Sequence, residues 1–231
     1  VIVRSMAEEA EKAGVMIVTG DTKVVNRGKA DKVFINTTGI GKLRAERSEI
    51  GSGRMVKPGD KIIINGSLAD HGMCIMAARE DIRFTTNIES DCACLNHLIG
   101  AAMGVSDNIH FMRDATRGGL ATVLCELAAG KDFGIEIREE ALPVRESVRG
   151  MCELLGFDPL YVANEGKVLM VVGEEDADKV LVALRENELG LGAAIIGEVV
   201  GEHSGKAWLT TGIGGRRIID MLAGEQLPRI W

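Results

Sequence analysis

Two short turns carry side chains that suit phosphate or acid–base chemistry. In "IVTGDTKVV" a strand-like apolar run enters a glycine turn that contains Asp21, Thr22 and Lys23. Asp21 and Lys23 are two residues apart, so in an extended segment they share one face. A carboxylate is a ligand for Mg²⁺ and an ammonium neutralises phosphate, so the turn suits a magnesium–phosphate site. A surface turn with an ion pair is the simpler alternative.

The second turn, "VANEGKVLMVV", places Asn164, Glu165 and Lys167 immediately before a buried strand. A hairpin turn needs the glycine between them but has no need of an acid. Glu165 is therefore a candidate functional carboxylate, and an ordinary hairpin remains the alternative.

Two further stretches place polar residues at helix starts. In "NGSLADHGMCI", Asp70 and His71 lie between a strand and a helix, where His71 could transfer protons near neutral pH or could be structural. In "RDATRGGLA", Asp114, Thr116 and Arg117 precede a glycine pair that opens a helix. This loop suits an anion or an amide, or Asp114 and Thr116 cap the helix.

Strand-like and helix-like patterns alternate along the chain, which predicts an α/β or α+β fold with helices covering a sheet. "VIVRSMAEEAEKAG" predicts a first helix, "VMIV" and "DKVFINTTG" predict strands, and residues 39–59 predict a linker or hairpin region. A helix is expected to start near Ser90–Asp91, and "GRRIIDMLAG" is helix-like, with Pro228 preventing its simple continuation.

Composition narrows the function classes. The formal charge of −7 argues against broad affinity for nucleic acid, and no apolar run approaches the roughly 20 residues that span a bilayer. The five cysteines include no CxxC pair, which is typical of reduced thiols in the cytoplasm. The chain opens at Val1 inside a helical pattern, so we expect it to be part of a longer protein.

Six motifs in order, "VTGDTKVV", "SLADHGM", "SDCACLNHL", "MRDATRGGLATVL", "ALPVRESVRGMCELLGFDPLYVANEGK" and "GGRRIIDMLAGEQLPRI", resemble the HypE family of hydrogenase maturation factors. That family lies in the PurM-like (aminoimidazole ribonucleotide synthetase-like) superfamily of ATP-using enzymes. The resemblance implies a PurM-like two-domain architecture. Residues 1–50 would be the remnant of an incomplete N-terminal ATP-binding and dimerising domain, 51–220 a C-terminal domain with a mixed sheet covered by helices, and 221–231 a flexible tail.

The resemblance also implies a reaction: ATP-dependent, lyase-type dehydration of a C-terminal S-carboxamide to a thiocyanate, which supplies cyanide ligands of [NiFe] hydrogenase. A HypF-like carbamoyltransferase would load the carbamoyl group, a HypC/HypD-like complex would be a further partner, and the full-length protein would be a homodimer. ATP and Mg²⁺ are the implied cofactors.

The family motifs match particular residues of this chain. Lys23 and Glu165 match the dehydration pair, with Glu165 the proton acceptor and His71 a weaker catalytic candidate. Asp21 is the expected magnesium ligand. The expected nucleotide-site and substrate-loop residues are Asp21, Thr22, Lys23, Asp114, Thr116 and Arg117.

The tail "GEQLPRIW" departs from the family pattern because Trp231 stands where the modified cysteine is expected. An indole has no nucleophilic thiol, so we expect this chain to be inactive on its own. Two other functions stay open at this point: a non-catalytic docking module for maturation partners, and another PurM-like ATP-dependent ligase or kinase.

Overall fold

The computed structural model describes residues 1–30, 32–79 and 88–222, and the chain divides into two units, Val1–Ser48 and Glu49–Trp231. Most of the expected tail, including Trp231, lies outside the described residues. Among the described residues, no helix has the length and apolar character needed to cross a membrane.

The first unit begins with the predicted helix, α1, over Ile2–Lys12. Gly14 follows in the left-handed conformation, at φ +65°, and its N–H donates to the Glu11 carbonyl, which ends the helix as expected. The strands predicted at "VMIV" and "DKVFINTTG" are not formed as paired strands among the described residues. A strand assignment needs a hydrogen-bonded neighbour, and the described part of this unit offers none.

The second unit is built on one seven-stranded mixed sheet with the order β2-β4-β1-β5-β3-β6-β7. All pairings are antiparallel except that between β3 and β6. The strands are β1 (Lys61–Ile64), β2 (Ile109–Asp114), β3 (Gly134–Arg138), β4 (Val168–Val172), β5 (Ala194–Val200), β6 (Ala207–Thr210) and β7 (Arg216–Ile219).

Helices cover both faces of this sheet, as the alternating pattern predicted. They are α2 (Asp70–Arg79), α3 (Asn96–Val105), α4 (Gly119–Ala128), α5 (Glu146–Leu155) and α6 (Glu174–Arg185), with short 3₁₀ turns at Ala45–Arg47, Glu139–Ala141 and Glu188–Gly190. One core joins α4 to one face, a second joins α3 and α6 to the other, and α2 packs on α5 in a third cluster.

The central strands are apolar on both faces because both faces are covered. All five residues of β4 are buried, and along this strand the side chains alternate between the two cores. The alternation also divides β1, where Ile62 and Ile64 join the α4 core and Ile63 joins the α3–α6 core. The fold is therefore the expected mixed sheet covered by helices.

Two sequence predictions of helices are wrong in position or type. The helix expected near Ser90–Asp91 begins only at Asn96, because Asp91 makes long-range contacts instead of capping a helix. The helix-like "GRRIIDMLAG" contains the strand β7, whose Ile218 lies opposite Trp208 of β6. Pairing with β6 and a tight turn, in which the Thr211 N–H donates to the Gly215 carbonyl, override the helix-like spacing.

The start of α4 packs against the chain segment that leads to Glu165. Gly119 has φ +61°, and a Cβ placed there would lie 2.4 Å from the Leu160 carbonyl oxygen and 2.6 Å from that of Val162. The Ala121 N–H donates to the same Leu160 oxygen at 2.9 Å. Glycine is therefore required by close backbone approach as well as by conformation.

Gly119→Ala is expected to lower the free energy of unfolding by more than about 3 kcal/mol, because it adds a backbone clash to a left-handed conformation. Gly130→Ala is the matched control: its φ is +71° but nothing lies within 4 Å of the added Cβ. That control should lose only about 1 kcal/mol. Urea denaturation of both variants measures the difference, and equal losses would show that the close approach is unimportant.

Candidate functional site

The segment that carries Glu165 is fixed by the buried amide of Asn164, whose exposure is 0%. Its Oδ1 accepts a hydrogen bond from the Ala69 N–H at 2.8 Å, and its Nδ2 donates to the Ala115 carbonyl at 2.9 Å and to the Val162 carbonyl at 3.2 Å. The amide therefore joins the segment before α2, the segment after β2 and the turn before β4.

A second buried amide, Asn65, holds the other end of the same segment. Its Nδ2 donates to the carbonyls of Gly166 and Leu189 at 3.1 and 3.0 Å, and its Oδ1 accepts from the Val168 N–H at 2.8 Å. Glu165 thus lies between Asn164, whose side chain makes buried hydrogen bonds, and Gly166, whose carbonyl accepts one from Asn65. Its backbone position is determined by both.

Asp91 binds directly to the backbone of this turn. Its Oδ1 accepts from the N–H of Glu165 at 2.9 Å and of Gly166 at 3.4 Å. Its Oδ2 forms an ion pair with Nζ of buried Lys167, 2.9 Å away. Gly166 permits the approach, because a Cβ there would lie 1.8 Å from the Asp91 carbonyl oxygen.

His71 is buried at the start of α2, beside the strained residue Ala69, whose φ is +70°. Its Nδ1 lies 2.9 Å from the Ser90 hydroxyl and 3.7 Å from the Cys92 sulfur. Its Nε2 is buried and has no hydrogen-bond partner within the part of the chain that the structure describes. The imidazole is therefore held at one nitrogen and leaves the other available.

The pKa of Glu165 is raised above its ordinary value, chiefly because partial burial removes water from the carboxylate. The charges of Asp91 and Asp114 raise this pKa further, whereas His71 and Arg117 lower it. These four groups lie close enough to affect Glu165 electrostatically. The structure thus brings together His71, Glu165, Asp114 and Arg117, which the sequence analysis took from three separate motifs.

The loop before α4 is organised differently from the capping alternative. The Thr116 hydroxyl donates to Asp114 Oδ2 at 2.8 Å, and neither side chain caps the helix. Gly118 precedes α4 with φ +70°, and the helix has no side-chain cap bond. The polar side chains of this loop are therefore not consumed in helix capping.

A cavity of about 440 Å³ lies beside the Glu165 turn. Its walls include residues 65–67, 89–91 and 166–167, together with Asp70 and Arg145. Burial raises the pKa of the Asp70 carboxyl, and the nearby Arg145 guanidinium, 3.5 Å away, partly opposes that rise. The volume of the cavity lies within the usual range for small-molecule sites. Its walls carry hydrogen-bond donors and acceptors, including acidic and basic side chains.

Asp21, Thr22 and Lys23 belong to the first unit, and all three are exposed. Asp21 Oδ1 accepts from the Thr22 N–H at 2.8 Å, and within the described residues Lys23 has no ion-pair partner. The expected pair of Lys23 and Glu165 is divided between the two units, so its convergence stays a prediction.

The side chains of the turn at residues 21–23 fit a magnesium ion that is bound to phosphate. The residues that the structure describes contain no cluster of three or more His, Cys, Asp or Glu arranged for a metal. Mg²⁺ is commonly held by one or two carboxylates with substrate phosphates and water, rather than by a protein cage. An exposed carboxylate, beside an ammonium that has no ion-pair partner within the described residues, is compatible with that type of binding.

Family models match most of the chain. The C-terminal domain of AIR synthase related proteins matches residues 57–210, and the N-terminal domain of the same family matches residues 1–43. Carbamoyl dehydratase HypE of Rhodobacter capsulatus is 52% identical over 229 residues, covering 99% of this chain and 67% of that relative. The chain spans about two thirds of the length of the curated relatives it matches.

Two solved structures are similar throughout. The crystal structure of the hydrogenase maturation protein HypE in complex with ATP has a TM-score of 0.92 at 46% identity, covering 100% of this chain and 69% of that chain. The HypE–HypF complex has a TM-score of 0.88 at 48% identity, covering 96% of this chain and 71% of the matched chain. The described fold is therefore that of the HypE structures.

The raised pKa of Glu165 predicts a pH-dependent stability. The unfolded carboxyl ionises near 4.5, whereas the folded one ionises at higher pH, so ionisation disfavours the folded state as pH rises through this window. Glu165→Gln removes this ionisation. Its free energy of unfolding, relative to that of the wild type, should therefore rise when the pH is raised from about 3.5 to about 7.5.

Urea denaturation at both pH values measures this gain, and Glu202→Gln, at an exposed position between β5 and β6, controls for the exchange itself. A stability difference that is unchanged, or that falls, with rising pH would contradict a desolvated Glu165.

Proposed function

The chain belongs to the HypE family of AIR synthase-related proteins, and we propose that it carries the site for ATP-dependent dehydration of an S-carboxamide to a thiocyanate during [NiFe] hydrogenase maturation. The reaction converts R–S–C(=O)NH₂ and ATP to R–S–C≡N, ADP and phosphate, so the carbamoyl oxygen leaves with the phosphate and the amide nitrogen loses two protons. It belongs to the lyase type. The substrate would be a carbamoylated cysteine on the C-terminal tail.

The observation that carries this proposal is the desolvated carboxylate of Glu165 on a backbone held by Asn164, Asn65 and Asp91. A general base is most effective when its pKa lies near the working pH, and burial moves Glu165 in that direction. A fixed backbone keeps the carboxylate in one place relative to the substrate. Both properties suit the removal of protons from an amide nitrogen.

We assign Glu165 as the acceptor of the first amide proton. His71 is the second proton-accepting group, because its Nε2 is buried and unpartnered within the described residues. Asp91 and Lys167 are positioning residues, since they act on the backbone of the Glu165 turn.

When bound, ATP supplies a phosphoryl group that makes the carbamoyl oxygen a better leaving group. Lys23 and Thr22 would hold phosphate oxygens, and Asp21 would hold Mg²⁺. Asp114, Thr116 and Arg117 would border the substrate tail, with the positive charge of Arg117 facing developing negative charge. In this arrangement Lys23 binds phosphate, while the proton chemistry rests on Glu165 and His71.

The chain spans about two thirds of its curated relatives, so its domain limits and partners are part of the proposal. Residues 1–50 would belong to the N-terminal domain, 51–220 to the C-terminal domain and 221–231 to the substrate tail. A HypF-like carbamoyltransferase and a HypC/HypD-like complex would be partners of the cytoplasmic, homodimeric full-length protein.

Glu165→Gln is expected to lower the dehydration rate by about 10²- to 10⁴-fold, because glutamine cannot accept the amide proton. The assay uses the full-length protein and a separate tail peptide that ends in S-carbamoyl-cysteine, with thiocyanate measured by mass spectrometry. ATP affinity should be unchanged. Glu202→Gln is the matched control and should retain full activity.

Normal thiocyanate formation by the Gln variant would remove Glu165 from the mechanism. No ATP-dependent product from the unsubstituted full-length protein would instead favour the docking-module alternative.

Lys23→Gln tests the phosphate role. Loss of the ammonium should weaken ATP binding by about tenfold, since charge-assisted contacts to phosphate are among the stronger hydrogen bonds. Isothermal titration of the full-length variant measures the affinity. Unchanged ATP affinity together with lost dehydration would instead make Lys23 a proton-transfer group.

A further inference from the structure

The hydroxyl of Tyr161 binds both backbone groups of the residue that follows β7. Tyr161 Oη donates to the Asp220 carbonyl oxygen at 3.0 Å, and the Asp220 N–H lies 3.3 Å from the same hydroxyl, which accepts from it. One side-chain group thus satisfies the donor and the acceptor of Asp220, where the sheet ladder has ended. Asp220 is the point at which the chain leaves the sheet.

Two further contacts bring the end of β7 to the same place. The Cys125 thiol of α4 donates to the Ile219 carbonyl at 3.2 Å, and Arg217 Nη1 lies 2.6 Å from Asp158 Oδ2. Because β7 is the outermost strand, its sheet pairing comes from β6 alone. These side-chain contacts therefore add a second attachment, to α4 and to the segment 158–161.

The segment that holds the end of β7 is also the segment that leads to Glu165. The Leu160 carbonyl accepts from Ala121 of α4, and the Asn164 amide holds the next turn. Only four residues separate Tyr161 from Glu165, a chain distance of at most about 14 Å. Position 231 is eleven residues beyond Asp220, enough for at most about 40 Å. The covalent length of the tail therefore suffices to return to Glu165.

We propose that Tyr161 is a positioning residue that fixes the origin of the C-terminal tail relative to Glu165. This inference rests on the proposed function, because it concerns delivery of the tail-borne carbamoyl group. Without the hydroxyl, Asp220 loses both of these hydrogen bonds, and the last fixed residue before the tail lies earlier, within β7. The tail then begins with more orientational freedom. A tethered group then spends less time near its site, while a separate peptide, which has no such origin, is unaffected.

The test compares delivery in cis and in trans. For the cis substrate, the full-length protein carries Trp231→Cys, and that cysteine is carbamoylated. For the trans substrate, the protein keeps Trp231. It receives a separate peptide with the sequence of residues 221–231, in which S-carbamoyl-cysteine replaces the tryptophan at position 231. Thiocyanate formation is followed by mass spectrometry with and without Tyr161→Phe.

Tyr161→Phe is expected to slow the cis reaction about fivefold and to leave kcat/KM for the trans peptide within about twofold of its value. Ser204→Ala also deletes a hydroxyl that donates to a backbone carbonyl, that of Asp132, and should change neither rate. Thermal unfolding of both variants controls for stability.

An equal loss in cis and in trans would make the hydroxyl merely structural and overturn the inference, as would no loss in either. If the protein with Tyr161 dehydrates neither substrate, the proposed function fails, and the inference fails with it. Activity in trans that is insensitive to Tyr161, with a loss in cis, supports both.

Discussion

The candidate site depends on two buried carboxamides, those of Asn65 and Asn164. Each is almost fully removed from water and makes three hydrogen bonds to backbone groups. Those backbone groups lie where strands end and the ladder stops, so without the amides they would be buried and unsatisfied. An apolar residue at either position would leave several such groups without partners. The chain around Glu165 is consequently held in one conformation.

This rigidity has an electrostatic consequence. Asp91 places a negative charge beside Glu165 while binding its backbone N–H, and the Lys167 ammonium balances Asp91 from the other side. Burial and the like charge both favour the neutral form of Glu165, while hydrogen bonds hold the backbone of the turn in place. Ionisation of Glu165 therefore lowers the stability of the fold, and the proton affinity of its carboxyl group is raised. A raised proton affinity is a common property of functional carboxylates.

Local patterns predicted most elements because periodicity and glycine positions reflect local geometry. They failed at the two strands expected in the first unit, which are not formed as paired strands among the described residues. They also failed at β7 and at the start of α3, where pairing with β6 and the contacts of Asp91 decide the outcome. His71 and Glu165 could be singled out from the sequence because each carries recognisable chemistry in its own motif, and their roles stay predictions. The role of Asn65 was missed, because its partners lie 101 and 103 positions away and no local spacing records such contacts.

A base that lies on the same segment as the residue that fixes the start of the substrate tail has a kinetic advantage. The turns at Leu160 and Asn164 attach this segment to α4 and to the end of β2, so a displacement of the segment moves Tyr161 and Glu165 together. The distance from the base to the origin of the arm then varies less than it would between separately anchored loops. Since proton transfer requires contact within hydrogen-bond range, reducing that variation raises the fraction of arm conformations that are productive. In the proposed function, the buried amides would therefore contribute to delivery of the tail as well as to the position of the carboxylate.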